Sequence, residues 1–215
     1  MVGRTPLRVW CVPGKKRLAE IVAGFNDNYY YGIRRFPYAV KTNVGANGKP
    51  HNPLTLADID PAQDDLTDGA FPRGPIGSSN PFQVHNIGEV WCMTLLEMRA
   101  RLITRLGHAV GNQKALQLVT DGMKLEPASP TLVQGRDSIL AANCAAGTSA
   151  DELDIWRGFA TRGLGEGALT PGSSSVVEDF DVPNLNLGAV TITADSCDNA
   201  GVADPGVGQL RWNHR

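Results

Sequence analysis

The sequence is poor in the features that would place it in several large classes. It has no excess charge of one sign: 20 lysines and arginines stand against 22 acidic residues, a formal charge of −2. No overall field favours nucleic acid or an anionic membrane, and neither is expected as a partner. It has no apolar run near the roughly 18 residues that cross a bilayer. Its opening, Met1-Val-Gly-Arg-Thr-Pro-Leu-Arg8, lacks the apolar stretch of an export signal, so the chain as written reads as cytoplasmic. Cysteine is also sparse. Cys11, Cys92, Cys144 and Cys197 lie far apart with no C-x-x-C pair, which argues against a zinc ribbon or a redox dithiol. Disulfides among them remain open. The plainer reading makes Cys92 and Cys144 small buried apolar residues, since both fall in helical segments.

What is present suffices for one domain of ordinary size, or a domain with a tail. Residues 15–24 read as a short helix with Leu18, Ile21 and Val22 on one side. Tyr29-Tyr-Tyr-Gly-Ile-Arg-Arg-Phe-Pro-Tyr38 is aromatic and extended, and residues 41–80 are rich in Gly, Pro, Asn and Asp. A loop of that length is expected to be a functional surface or disordered. From Val84 to Arg105 the pattern turns helical, with Ile87, Trp91, Leu95, Met98 and Leu102 at spacings of three and four, and Glu97, Arg99, Arg101 and Arg105 between them. Gly107 and Gly111-Asn112 interrupt it. A second helix is expected from Gln113 to Leu125, with Leu116, Val119 and Met123 as its apolar stripe. Ser129-Pro130 supplies an N-cap and a first-turn proline for a third, carrying Leu132, Val133, Ile139, Leu140 and Ala145. Ser149-Ala-Asp-Glu152 has the form of a capping box, opening a fourth helix with Leu153, Trp156 and Phe159, ended by Gly163. Helices joined by short connections imply a bundle. Beyond Gly165 the composition becomes linker-like, and Asn184 to Ala194 reads as a lone strand that opens something further.

Several of these segments form an ordered set. Gly32-Ile-Arg-Arg-Phe-Pro-Tyr38, Asn52-Pro-Leu-Thr55, Val84-His-Asn-Ile-Gly-Glu-Val-Trp91, Leu116-Gln-Leu-Val-Thr-Asp-Gly-Met-Lys124, Gln134-Gly-Arg-Asp-Ser-Ile-Leu140 and Ile155-Trp-Arg-Gly-Phe-Ala-Thr-Arg-Gly-Leu-Gly165 resemble landmarks of the fungalysin family of secreted zinc metallopeptidases. They occur in the family's order and at about its spacing, over Tyr29 to Gly165. The resemblance implies a mainly α fold: a thermolysin-like carboxy-terminal helical lobe with an irregular, partly β amino-terminal region and a short β tail. Residues 1–168 would be the lobe, 169–184 a linker, and 185–215 the truncated start of an appended β module. The activity implied for the intact family is hydrolysis of peptide bonds by a zinc-activated water.

Two histidines and a glutamate hold the metal in that family, and a second glutamate is the general base. Three of these four groups come from H-E-x-x-H, the last ligand from a Gly-Glu-Gly-Trp-Ser-Asp segment. This sequence has neither motif. Its histidines are His51, His85, His108 and His214, none with another four residues away. No metal ligand is therefore assigned, and zinc is expected for the intact family but not for this chain alone. The resemblance does supply two further site residues. His85 matches the family's histidine that donates a hydrogen bond to the oxyanion forming on the scissile carbonyl. Arg34 resembles the arginine that grips the substrate carbonyl on the leaving-group side, with Arg35 adjacent. A lone histidine at a helix start would otherwise be a surface or capping residue.

Two local ion sites compete with plainer readings. His85 and Glu89, four apart on a helix, are half of a metal site in spacing, but Glu89 is more simply a solvated first-turn charge complementing the helix dipole. Asp195 to Asp204 is an oxygen-rich turn that lacks the glycine position and closing glutamate of the standard calcium loop. The function expected is a metalloendopeptidase fragment, inactive alone. The alternative is a pseudo-enzyme or peptide-binding module that uses Arg34, His85 and the aromatic run of residues 29–38. Expected partners are peptide or protein substrates, a second copy, or an amino-terminal lobe supplied in trans. The family setting is extracellular.

Overall fold

Gln83 opens the longest helix: its side-chain carbonyl accepts the backbone N–H of His85 in the first turn. The structure is a computed structural model that describes residues 34–64, 80–172 and 174–183. The chain divides into two compact units, Met1–Pro183 and Asn184–Arg215, and all described residues belong to the first. The expected helix at 15–24, the tyrosines at 29–31, the strand at 184–194 and the turn at 195–204 lie outside the described residues.

Four helices dominate the described residues: α1 (Val84–Leu106), α2 (His108–Leu125), α3 (Leu132–Ala145) and α4 (Ser149–Ala160). The fold is mainly α, as expected. α1 packs against α2 and α4, while α3 lies on α2 and more lightly on α4. Trp91 of α1 stacks on Phe159 of α4, with ring centroids 6.0 Å apart. Among the described residues before the helices, 34–64 are irregular apart from a 3-10 helix, Leu56–Ile59, packed on α1. Among the described residues strand pairing is limited to isolated bridges, Val44 with Pro50, Leu164 with Asp179 and Leu169 with Val177.

The helix boundaries differ instructively from the sequence reading. α2 begins at His108, not Gln113, because Gly107 alone makes the break, at φ 79°, where its N–H also caps α1 on the Ile103 carbonyl. Gly111 stays helical and serves as a contact: a Cβ built there would come within 2.5 Å of the Leu102 carbonyl oxygen. α3 is capped by Thr131 and Gln134 in a reciprocal box, which displaces Ser129-Pro130 from the role expected of it. At α4 the N-cap position falls to Thr148, which makes no side-chain capping bond, so Ser149 does not hold the capping position expected of it. That helix stops at Ala160, before Gly163 at φ 81°.

The buried faces are also rotated from those expected. On α2 the core takes Gly111, Ala115, Leu118 and Gly122, whereas Met123 is 58% exposed and Leu116 39%. Small residues face inward because the helices approach too closely for large ones. On α1 the buried face is Asn86, Glu89, Val90, Met93, Thr94, Glu97, Met98 and Leu102, while Ile87, Trp91 and Leu95 flank it half-buried. Cys92 and Cys144 are exposed free thiols, not core residues.

The described part of the expected long loop is surface only in part: residues 42–44 and 46–49 are exposed, but the stretch after them enters the core. Asn52, Leu54 and Leu56 are fully buried and Ile59 nearly so. What permits this is Arg162, fully buried just beyond α4. Its guanidinium donates to the backbone carbonyls of Asn52 (2.9 Å), Leu54 (2.9 Å) and Ala39 (2.8 Å), and pairs with Glu97 of α1 at 2.8 Å. Carbonyls that a sheet would have satisfied are satisfied by one cation. Burial lowers the pKa of that guanidinium below its ordinary value against the opposing pull of Glu97.

Candidate functional site

The site expected from the sequence lies where the start of the irregular segment meets the first turns of α1. His85 is exposed in the opening turn of α1. Its ring Nδ1 lies 2.8 Å from the side-chain nitrogen of Gln83, whose amide thus meets both the ring and the backbone N–H of His85. If the Gln83 nitrogen donates, Nδ1 is the acceptor and the proton sits on Nε2, the tautomer that offers an outward-facing donor.

Arg34 is half-buried, and its Nε donates to the Tyr38 hydroxyl at 3.1 Å. Arg35 is in a different environment: fully buried, with its Nε on Glu89 Oε2 at 2.8 Å. The adjacent arginines are thus distinguished. Arg35 is committed to the interior, and Arg34 is the one with access to solvent. Among the described residues no hydrogen bond joins Arg34 to His85.

Glu89 is the residue that sequence reasoning placed wrongly. It is not a solvated charge: it is 1% exposed, with one oxygen on Arg35 and the other accepting the backbone N–H of Phe36 at 2.9 Å. Burial of a carboxylate is tolerable only because both its oxygens are so engaged. The clue in the sequence is that Glu89, Met93 and Glu97 recur every four residues, placing two acids on one stripe with an apolar residue between them. Each acid meets a buried arginine, Arg35 or Arg162.

Among the described residues, no group of three or more His, Cys, Asp or Glu side chains is arranged to hold a metal ion. His51, His85 and His108 stand on separate elements, and the one acid a turn from His85 is taken by Arg35. The described donor set does not fit zinc, and no chemical step is derived through it. His85 is exposed and Arg34 half-buried, and near them in sequence stand two exposed side chains, Val84 and Tyr38.

Comparison with known proteins agrees in extent with this part of the chain. The model of the fungalysin metallopeptidase family matches residues 8–168. The extracellular metalloproteinase mep of Aspergillus terreus is 32% identical over 165 residues, which are 71% of this chain and 22% of that protein. Extracellular metalloproteinase 1 of Trichophyton equinum is 33% identical over 162 residues, 69% of this chain and 22% of that protein. Extracellular metalloproteinase MEP of Neosartorya fischeri is 33% identical over 170 residues, 73% of this chain and 23% of that protein. The chain therefore spans less than a quarter of the length of these curated relatives.

Proposed function

Because the chain belongs to the fungalysin metallopeptidase family, we propose that it is the thermolysin-like helical wall of a zinc metalloendopeptidase's substrate cleft, carrying carbonyl donors but not the metal. The observation that carries this reading is that the family match, over residues 8–168, includes both His85 and Arg34, while the sequence has neither H-E-x-x-H nor a Gly-Glu-Gly-Trp-Ser-Asp segment. His85 would donate to the oxyanion that forms on the scissile carbonyl, and Arg34 to the substrate carbonyl on the leaving-group side. Hydrolysis needs the zinc, its ligands and the general base, which in the family come from the motifs that this sequence does not contain.

On this reading residues 1–168 are the lobe, 169–184 the linker and 185–215 a further segment beyond it. The setting of the parent enzyme is extracellular, in line with the names of its relatives. The test is elemental analysis of the purified chain for zinc, together with a casein-cleavage assay with zinc added. The expected result is no stoichiometric zinc and no cleavage above buffer. A stoichiometric, tetrahedrally bound zinc in a chain that cleaves casein unaided overturns the reading.

A second reading, capture of extended peptides or of another chain without hydrolysis, draws on Val84 (71% exposed) and Tyr38 (41% exposed) beside the donors. Self-association through this face belongs to the first reading. Titration of the isotopically labelled chain with short peptides tests the second. Saturable shifts at His85 and Arg34 support it, and their absence at high peptide concentration removes it.

A further inference from the structure

Two donors that serve one peptide must be held within about half an ångström of their working positions. Here one donor, His85, sits on a helix, and the other, Arg34, on an irregular segment with its own bond only to Tyr38. Nothing local to the sequence fixes the second against the first. Glu89 does. It lies one turn after His85 on α1, and its two oxygens take the side chain of Arg35 and the backbone N–H of Phe36, the two residues that follow Arg34. The Arg35 and Glu89 side chains are 0% and 1% exposed, so their attraction is little screened by water. The two terminal nitrogens of Arg35 are buried without a hydrogen-bond partner, which leaves Glu89 as its only described acceptor. A bidentate anchor of this kind fixes both the height of the segment along α1 and the direction in which Arg34 departs.

We propose that Glu89 is a positioning residue: its carboxylate holds Arg34 in register with His85, making a helix turn and an irregular segment into one donor unit. The proposal rests on reading Arg34 and His85 as carbonyl donors and adds the group that couples them. Arg35 has the complementary part, as the buried cation that lets Glu89 lie inside.

The experiment is nitrogen-15 NMR on the full chain and on Glu89→Gln, which keeps the shape and removes the charge. Amide exchange at Phe36 and the heteronuclear NOE of the Arg34 Nε–H report the anchor. Amide exchange at Met98 and Leu102, both fully buried in α1, reports whether the helix stays folded. Expected in E89Q are Phe36 exchange faster by about tenfold and a collapsed Arg34 NOE, with Met98 and Leu102 protected as before. An Arg34 NOE unchanged in a folded E89Q overturns the proposal. Should E89Q not fold, the double variant Arg35→Met/Glu89→Leu replaces the pair by apolar groups of similar volume, a change cores tolerate. Loosening of Arg34 there supports the proposal, and a rigid Arg34 overturns it.

Peptide titration separates this from the functional reading. If the wild type shows no saturable shifts, peptide capture fails while the NMR result on Arg34 stands. If it binds, E89Q is expected to lose affinity on the order of tenfold to a hundredfold and to keep the His85 shift while losing that of Arg34. Binding at wild-type strength with both shifts intact overturns the positioning role.

Discussion

The irregular segment at 34–64 and the helical bundle at 84–160 share one core but are held by different physics. Between the helices the contacts are close and small: Gly111 and Gly158 lie on the backbone of α1, where an added Cβ would meet Ile103 Cα at 2.6 Å or Met98 Cα at 2.5 Å. The irregular segment is fastened by buried charges as well: Arg35 binds Glu89 of α1, and Arg162, just beyond α4, donates to the segment's carbonyls and pairs with Glu97 of α1. Helices satisfy their own backbone groups and need only shape to pack. A segment without regular hydrogen bonding brings carbonyls into the core, and long charged side chains must answer them. The proposed site lies at the second kind of contact, where position depends on a few specific groups.

The sharpest way to break this contrast is to remove Arg162. Arg162→Ala takes its cation from Glu97 and leaves three backbone carbonyls without their donor. The expected loss is about 3–5 kcal/mol by urea unfolding, the usual result of breaking a buried pair. A loss under about 1 kcal/mol would mean that the charges are ornamental to the segment.

Next is Gly158→Ala, which probes the bundle. Helix propensity alone would make the change favourable by about 1 kcal/mol, but the Cβ meets the backbone of Met98. Overpacking of that kind costs about 1–3 kcal/mol, so a net destabilisation is expected in thermal or urea unfolding. A stabilised variant would show that the helices can part at no cost.

A smaller effect is expected from acid at the far end of α1, where Arg105 pairs with Asp151 and Asp154, and Lys114 with Asp151 at 2.9 Å. Burial pushes the Asp151 carboxyl upward, but its bonds to Lys114 and Arg105 outweigh this and hold the pKa below the usual aspartate value. A depressed folded-state pKa means that the stabilisation is fully present above the unfolded value, about 3.9, and is lost as pH falls through the folded one. The urea midpoint of the wild type should therefore fall below about pH 4, more steeply than that of Asp151→Asn. Parallel profiles would remove Asp151 from the acid response.

Met123→Lys should change stability by no more than about 0.5 kcal/mol, because Met123 is exposed on α2. A loss of several kcal/mol would restore the apolar stripe read from the sequence and undo the claim that small residues form the α2 contact.

Taken by itself, the sequence determined the mainly α architecture, the extent of α1 to within a residue, the ordered family landmarks, and the lack of both zinc motifs. These are legible because helical periodicity and linear motifs are local, written within a few turns of chain. Which face of α1 turns inward was decided only by tertiary structure, as were the burial of Glu89 and Glu97, the distinction between Arg34 and Arg35, and the packing of residues 52–60 as core. In each case the deciding partner is remote: Arg162 lies 65 residues from Glu97, and Arg35 lies 54 from Glu89. An acid on a helix reads as solvated until the cation that neutralises it is known, and pairing of that kind is a property of the folded chain.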